Sequence, residues 1–171
     1  MGERIYQGFG GSRPVWPGID RGWRLERERF VGREPRHGGQ LEFGGSFDLE
    51  RGIVLTADIR IEDDEENTGG AGFYFGCEGV CEYVLIRREA TEVGKLWREK
   101  YMITELCAPH PLRRKTWSVK LLVRHNMLEC YADGVFLQSH SFHSRPTGAL
   151  GLLFEACTVS VENLCVWRWK E

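Results

Sequence analysis

Apolar and polar residues alternate with a period of two along most of the chain, a pattern that predicts β-strands with one buried face. In the stretch GIVLTADIRI, every second residue from Ile53 to Ile61 is apolar, and the residues from Thr56 to Arg60 that lie between them are polar or charged. The stretch from Trp117 to Val123 alternates in the same way. These two stretches predict half-buried strands.

Turn signals divide the alternating stretches into hairpins. In LECYADGVFLQSH (128–140), Asp133-Gly134 supplies residues that accept the positive φ angles of a type I′ turn. His125-Asn126 does similar work one strand earlier. Trp117 to Phe142 is therefore predicted to form a three-stranded meander.

Further predicted strands lie between Gly and Pro clusters at short, fairly regular spacing. They are GWRLERERFVG, GQLEFGG, GAGFYFG, EYVLIRRE, GKLWREKYMI, GALGLLFEA and VSVENLCVWRWK. No stretch of ten or more residues has a convincing helical period. About ten or eleven short strands joined by tight turns predict an all-β fold, an antiparallel two-sheet sandwich. We expect a single domain over 1–171, in which 1–21 form an irregular N-terminal arm.

Composition narrows the classes of partner. The chain has 171 residues with 42% hydrophobic residues, enough for one sizeable core. The formal net charge of −2 gives no field that would gather nucleic acid or an anionic membrane, so neither is expected as a partner. The start, MGERIYQGFGGSRP, lacks the apolar region of a secretory signal, which predicts a cytoplasmic protein or a domain cut from a longer chain.

Three stretches resemble the concanavalin A-like lectin/glucanase superfamily. The strand that ends in YADG is similar to its strand-then-Asp-Gly hairpin, GALGLLFEA to its Gly-x-x-Gly-Leu strand, and VSVENLCVW to its closing strand, which pairs back toward the N-terminus. The resemblance covers roughly residues 22 to 169 and implies a jelly-roll sandwich. The superfamily includes sugar-binding modules, glycosidases and accessory domains of glycosidases, so the resemblance predicts fold more sharply than function.

Glucanases of this superfamily carry Glu-x-Asp-x-Glu on one strand, and Glu62, Asp64 and Glu66 match that spacing. The intervening Asp63 and Glu65 would then face the core, where two unpaired carboxylates would be costly. We therefore interpret IEDDEEN as an exposed acidic loop, with calcium as a minor possibility for its oxygen ligands. If the chain were a glycoside hydrolase with carboxylates from separate strands, the weak candidates would be Asp58, Glu62 and Glu99.

The six cysteines permit disulfides, but most lie within apolar strand patterns, where a free thiol behaves as a small hydrophobe. We favour reduced thiols, with a disulfide across the hairpin CEGVC (77–81) as the alternative. Cys107 and His110 could complete a zinc set with that hairpin if the loops met. His140 and His143, three apart at a strand end, are predicted to point to opposite faces and to make a poor metal pair. No metal site is therefore predicted.

Aromatic residues are the remaining candidate chemistry, because sugars stack on flat rings while neighbouring polar groups bind their hydroxyls. Tyr74 is out of phase with its apolar neighbours, and a two-residue turn at Glu78-Gly79 would pair it with Tyr83. This register places Tyr74, Tyr83 and Arg87 on one exposed sheet face, which Trp97 could join. The alternative, which we leave open, is that these rings form a satellite core under loops.

Trp167 and Trp169 share a face of the last strand, and Leu164 and Val166 take the other. Both tryptophans are therefore predicted to lie outward, where they could contact a second copy or a partner domain. The leading hypothesis is a non-catalytic domain that binds carbohydrate, alone or as an accessory of a glycosidase. The alternatives are a glycoside hydrolase and a purely structural or interaction domain.

Overall fold

The computed structural model describes residues 3–7, 22–27, 29–33, 39–43, 47–63, 68–77, 80–97, 101–110, 112 and 114–169. These residues contain no helix, and therefore none that could cross a membrane. They form fourteen strands: β1 (Glu3–Gln7), β2 (Trp23–Glu26), β3 (Arg29–Arg33), β4 (Gly39–Glu42), β5 (Ile53–Asp63), β6 (Gly70–Cys77), β7 (Val80–Arg87), β8 (Ala90–Trp97), β9 (Tyr101–Pro109), β10 (Thr116–Arg124), β11 (Met127–Ala132), β12 (Val135–Ser141), β13 (Pro146–Glu155) and β14 (Thr158–Arg168).

The strands form two antiparallel sheets, which confirms the predicted all-β sandwich. Sheet A has the order β12-β11-β10-β5-β14-β3-β2, and β1 adds to β14 as its eighth strand. Sheet B has six strands in the order β4-β13-β6-β7-β8-β9. Non-sequential neighbours such as β5 and β14, or β6 and β13, show that both sheets are assembled from distant parts of the chain.

The main core lies between the sheets and contains the faces that alternation predicted. Every second residue from Ile53 to Ile61 is buried, and so is every second residue from Trp117 to Val123. Sheet B contributes Phe73 and Phe75 to the same cluster. The period of two in the sequence therefore identifies the inner face of each long strand correctly.

The predicted meander is also confirmed, as β10, β11 and β12. Asp133 and Gly134 have φ angles of 50° and 78°, the left-handed values that a type I′ turn requires. His125 has a φ of 55° in the preceding turn. The hairpin is further held by Asp133 Oδ1, which accepts a hydrogen bond from the main-chain N–H of Ser118 at 3.0 Å.

Two predicted strands are in fact hairpins. GWRLERERFVG divides into β2 and β3 at Arg27, whose φ of 58° reverses the chain, and GKLWREKYMI contributes the ends of β8 and β9. The prediction that 1–21 are irregular missed β1, which pairs with the part of β14 that β3 leaves uncovered. Charged hairpin tips without Gly or Pro gave no turn signal in the sequence.

Two edge strands, β9 of sheet B and β12 of sheet A, each contain a β-bulge that changes the alternation of their side chains. In β9, Thr104 pairs with Gly94 and Leu106 with Val93, so Glu105 is an extra residue. In β12, Phe136 pairs with Tyr131 and Gln138 with Cys130, so Leu137 is an extra residue. A bulge redirects the side chains beyond it, and both bulges lie close to the site described below.

Candidate functional site

Tyr74 and Tyr83 are direct cross-strand partners on β6 and β7, as the predicted hairpin register requires. Val84 and Ile86 point the other way, into the main core, and both are fully buried. The two tyrosines and Arg87 therefore share the outer face of sheet B, which confirms this part of the interpretation.

That face is not exposed as expected. Tyr74 is 6% and Tyr83 1% exposed, and they form a second apolar cluster with Leu85, Leu96 and Leu153. Burial raises the pKa of Tyr83, whose hydroxyl lies 3.1 Å from that of Thr104. This arrangement corresponds to the satellite core that the sequence left open. The side chain of Trp97 lies outside the described part of the structure, so its predicted role stays a prediction.

Glycines opposite the rings explain how this face packs so closely. Gly151 is the cross-strand partner of Tyr74, and Gly94 is the partner of Tyr83. A Cβ at Gly151 would lie 2.1 Å from Tyr74 Cε1, so the ring lies directly against the glycine backbone. The pairing of an aromatic ring with a glycine on the next strand is the signal that sequence reasoning missed.

Arg87, at the end of β7, is the predicted site residue with the richest polar surroundings. Its Nε donates to Glu92 Oε1 at 2.8 Å and its Nη2 to Glu92 Oε2 at 3.0 Å, which is a bidentate pair. Nη2 also donates to Glu155 Oε2 at 2.6 Å, and Nη1 donates to the carbonyl oxygen of Thr68. Burial alone would lower the pKa of Arg87, but the hydrogen bonds to both carboxylates outweigh it and raise that pKa, so the guanidinium stays charged.

This charged cluster lines a pocket of about 770 Å³, a size suited to a small ligand. The Arg87 and Glu92 side chains are 18% and 15% exposed, and that of Glu155 is 39% exposed. The pocket therefore presents carboxylate and guanidinium groups to solvent in positions that their mutual contacts fix. Its lining residues are Thr68, Arg87, Arg88, Glu89, Ala90, Glu92, Glu155 and Ala156.

Asp58 and Glu62, the two catalytic candidates that the structure describes, do not form a carboxylate pair. Asp58 accepts hydrogen bonds from Ser118 Oγ at 2.5 Å and from Asn163 Nδ2 at 2.7 Å, while Glu62 pairs with Arg29 at 3.4 Å. Four residues apart on one strand, they are separated by roughly 13 Å along the backbone, well beyond the roughly 5–5.5 Å of a retaining pair. Glu99, Asp64 and Glu66 lie outside the described residues, and with them most of the loop considered for calcium.

The cysteines are free thiols. Cys77 packs in the main core, whereas Cys81 packs against the outer cluster of sheet B, so the two side chains point to opposite faces of the hairpin. Cys107 is exposed, while His110 is buried with its Nδ1 accepting from the main-chain N–H of Leu112. The zinc set suggested by these residues is therefore not assembled.

A different group with metal-ligating atoms lies where the edge strands of the two sheets meet. Its four potential ligand atoms lie within 4.8 Å of one another. The residues are Glu82 on β7, Glu105 on β9, His140 on β12 and His143 just after β12. Sequence analysis did not single out either glutamate and judged the two histidines a poor pair.

Contacts within this group are short. Glu82 is fully buried, and its Oε2 lies 2.6 Å from His140 Nε2 and 3.6 Å from His143 Nδ1. His143 Nδ1 in turn lies 3.4 Å from Glu105 Oε2. Burial alone would raise the pKa of Glu82, but the hydrogen bonds from His140 and from the main chain of His143 outweigh it and lower that pKa. The buried carboxylate therefore holds its charge among the imidazoles.

The prediction that His140 and His143 point to opposite faces was wrong. It assumed an extended strand through both residues, but β12 ends at Ser141. The main-chain N–H of Phe142 then bonds to the carbonyl of Asn126, and the chain leaves the sheet. The turn brings the His143 ring to a centroid distance of 5.7 Å from that of His140.

Trp167 and Trp169 lie outward on β14 and just beyond it, while Leu164 and Val166 are fully buried. Trp169 is 41% exposed, and the Arg4 guanidinium lies over the Trp167 ring at 5.8 Å from its centroid. The predicted orientation is confirmed, and the predicted contact with a second copy or a partner domain stays a prediction.

Comparison with solved structures shows what the fold resembles. The carbohydrate-binding module CBM66 from Bacillus subtilis superimposes with a TM-score of 0.74 at 15% identity, covering 93% of this chain and 99% of that one. A protein of unknown function with a galectin-like fold, also from Bacillus subtilis, has a TM-score of 0.71 at 12% identity, covering 98% and 96% of the two chains. A fructosyltransferase from A. japonicus has a TM-score of 0.59 at 15% identity, covering 84% of this chain but only 26% of its own.

No family model and no curated protein matches the sequence. At these identities, the structural likeness concerns the fold. The antiparallel two-sheet architecture and these neighbours confirm a concanavalin A-like jelly-roll sandwich.

Proposed function

We propose that this chain is a non-catalytic carbohydrate-binding domain whose binding site is the pocket around Arg87. The observation that carries the proposal is the Arg87 guanidinium, held between Glu92 and Glu155 inside a pocket of about 770 Å³. The site differs from the aromatic platform predicted from the sequence, because Tyr74 and Tyr83 are buried. Arg87 is the predicted ligand-binding residue that remains accessible there.

Planar charged groups of this kind suit hydroxyl-rich ligands. A carboxylate accepts hydrogen bonds from two adjacent hydroxyls, and a guanidinium donates to hydroxyl oxygens. The four contacts described for Arg87 engage all but one of its N–H donors. Since the same contacts hold the carboxylates in place, a sugar would find its partners already ordered, which lowers the entropic cost of binding.

The similar folds support the same class of ligand. Of two neighbours that this chain covers almost completely, one is named as a carbohydrate-binding module and the other as a protein of unknown function. Two others, the fructosyltransferase and a β-fructofuranosidase from Aspergillus kawachii complexed with glycerol, are named as enzymes of fructosyl sugars, and this chain matches about a quarter of each. We therefore place fructose-containing oligosaccharides first among the candidate ligands.

The arrangement favours binding over hydrolysis. A glycosidase needs a carboxylic acid that holds a proton for the leaving group and a second carboxylate across the scissile bond. Here Glu92 and Glu155 both accept hydrogen bonds from the same guanidinium, which lies between them. Neither is placed as a proton donor, so we expect binding without product formation.

The test is a calorimetric titration of the full chain with fructo-oligosaccharides, β-glucan and xylan oligosaccharides, with a reducing-sugar assay on the same samples. We expect saturable binding of at least one glycan and no new reducing ends. Glu155→Gln removes a charged hydrogen-bond partner worth roughly 1.5–3 kcal/mol, so the Kd should rise about tenfold or more. Glu129→Gln, on β11 and outside the pocket, is the matched control and should leave the Kd unchanged.

Two results would count against the proposal. One is the failure of every glycan to bind; the other is binding that Glu155→Gln leaves unaltered. Production of reducing ends would instead favour the glycoside hydrolase alternative.

A further inference from the structure

The group formed by Glu82, Glu105, His140 and His143 draws its members from both sheets. His140 lies on β12, the edge strand of sheet A, and Glu105 lies on β9, an edge strand of sheet B. Glu82 lies on β7, which is separated from the edge strand β9 by β8, and its side chain lies on the inner face of the sheet. The group therefore bridges the two sheets at one side of the sandwich.

Each of the two glutamates uses one carboxylate oxygen to bind a group other than an imidazole ring. Its second carboxylate oxygen faces the imidazole rings. Glu82 Oε1 accepts the main-chain N–H of His143 at 2.7 Å, and its Oε2 faces both histidine rings. Glu105 Oε1 binds Lys95 Nζ at 2.7 Å, and its Oε2 faces His143. Outer contacts of this kind orient the ligands in metal sites.

Two of the distances within the group match those between ligands around one ion. Ligand atoms bound at about 2.0–2.1 Å to a tetrahedral zinc ion lie about 3.3–3.4 Å apart. His143 Nδ1 lies 3.4 Å from Glu105 Oε2 and 3.6 Å from Glu82 Oε2. The separation of 2.6 Å between Glu82 Oε2 and His140 Nε2 is a hydrogen bond, whose proton a metal ion would replace.

Exposure increases from the floor of the group to its mouth. The side chains of Glu82 and His140 are 0% and 9% exposed, and those of Glu105 and His143 are 26% and 52% exposed. An ion thus has an open path to a partly buried ligand set. Two nitrogen and two carboxylate donors suit zinc, whereas calcium prefers an all-oxygen set.

We propose that Glu82, Glu105, His140 and His143 form a zinc site that fastens the edge of sheet A to the edge of sheet B. All four ligands come from the protein, so the ion is structural. On binding, Glu82 Oε2 and His140 Nε2 both coordinate the ion, in place of the hydrogen bond between them. The site is separate from the Arg87 pocket and does not depend on the sugar proposal.

The experiment uses the full chain after treatment with a chelator and dialysis. Calorimetric titration with zinc chloride should show one ion bound per chain. At a hundredfold excess of free zinc over Kd, the Tm should rise by about 5–10 °C. Calcium chloride in the same titration should give no such rise.

His143→Asn and Glu105→Gln remove ligands from the exposed side of the group, where substitution leaves the core intact. Each should weaken zinc binding by more than about a hundredfold, since loss of even an outer partner costs 10–100-fold. Each variant should keep the Tm of the metal-free protein to within about 2 °C. The matched control is His125→Asn at an exposed turn, where the φ of 55° suits asparagine.

The proposal fails if wild type binds no zinc, or if His143→Asn binds it as tightly as wild type. A calcium-dependent rise in Tm without a zinc-dependent one would overturn it as well. Loss of zinc binding in His125→Asn, with binding kept in Glu105→Gln, would place the ion elsewhere and refute this ligand set.

Discussion

Replacing Gly151 with alanine should destabilise the protein by driving a methyl group into the outer cluster of sheet B. The added Cβ would lie 2.1 Å from Tyr74 Cε1, 2.4 Å from Tyr74 Cζ and 2.5 Å from the carbonyl oxygen of Leu41. These distances are far below van der Waals contact, and one neighbour is main chain that β13 pairs with directly. The Tyr74 ring is itself buried among Tyr83 and Leu153, so it cannot simply swing away.

Overpacking of this kind costs roughly 1–3 kcal/mol of unfolding free energy, and a ring that must move by more than 1 Å places Gly151→Ala toward the upper end. The loss of chain freedom in the unfolded state offsets about 0.4–1 kcal/mol. A net loss of about 1–2.5 kcal/mol should lower the Tm by about 2–10 °C in a chain of this size.

Urea denaturation followed by tryptophan fluorescence, with the slope m unchanged, is the appropriate assay. Because the ring causes most of the conflict, Gly151→Ala should cost less in a Tyr74→Leu background, and the coupling energy should reach about 0.5 kcal/mol or more. Gly134→Asn, at a turn where nothing lies within 4 Å of the added Cβ, is the control and should cost only a few tenths of a kcal/mol. A Gly151→Ala variant as stable as wild type would refute the described packing of the ring on the glycine.

Two further predictions follow from buried groups. Burial raises the pKa of Cys130 to about 12, and burial together with the charge of Glu82 raises that of Cys77 to about 12, so only about one in ten thousand of these thiols is ionised at pH 8. Iodoacetamide should therefore modify the exposed Cys107 first in the native protein, and peptide mass spectrometry that finds Cys130 modified equally fast would contradict the buried environment. Tyr83→Phe removes a hydroxyl that contacts Thr104, so it should lower the unfolding free energy by about 1 kcal/mol. Glycan binding should be unchanged in this variant. Weaker glycan binding at an unchanged Tm would instead support the sugar platform that the sequence predicted for Tyr83.

The sequence predicted the strands and their inner faces because alternation and turn residues act locally. The period of two from Ile53 to Ile61 and the Asp133-Gly134 turn needed no knowledge of distant residues. The same local reasoning paired Tyr74 with Tyr83 correctly. Alternation says which residues share a face, however, and not whether neighbouring side chains bury that face, as Leu153 on β13 helps to do here.

The candidate sites depend on features that no local pattern encodes. Glu105 reaches the proposed zinc site from a β-bulge in β9, and His143 reaches it because β12 ends two residues earlier. The partners of Arg87 illustrate the same limit, since Glu155 lies 68 positions away in the chain. A one-residue error at a strand end reverses a predicted direction, so edge strands and their ends are where inference from sequence fails first.

The pairing of β1 with β14 brings Glu3 beside Arg168, so the first and last described strands end next to each other. Cross-strand neighbours in an antiparallel pair lie only about 4.5–5.5 Å apart, a gap that a few residues of linker would span. The order of the strands along the chain can therefore be rewritten without altering the sandwich. A permuted gene that joins these two ends and opens at the exposed Asp133-Gly134 turn would begin and end between β11 and β12. A reporter or a second binding domain could be attached at the new termini, at the opposite end of β12 from His140.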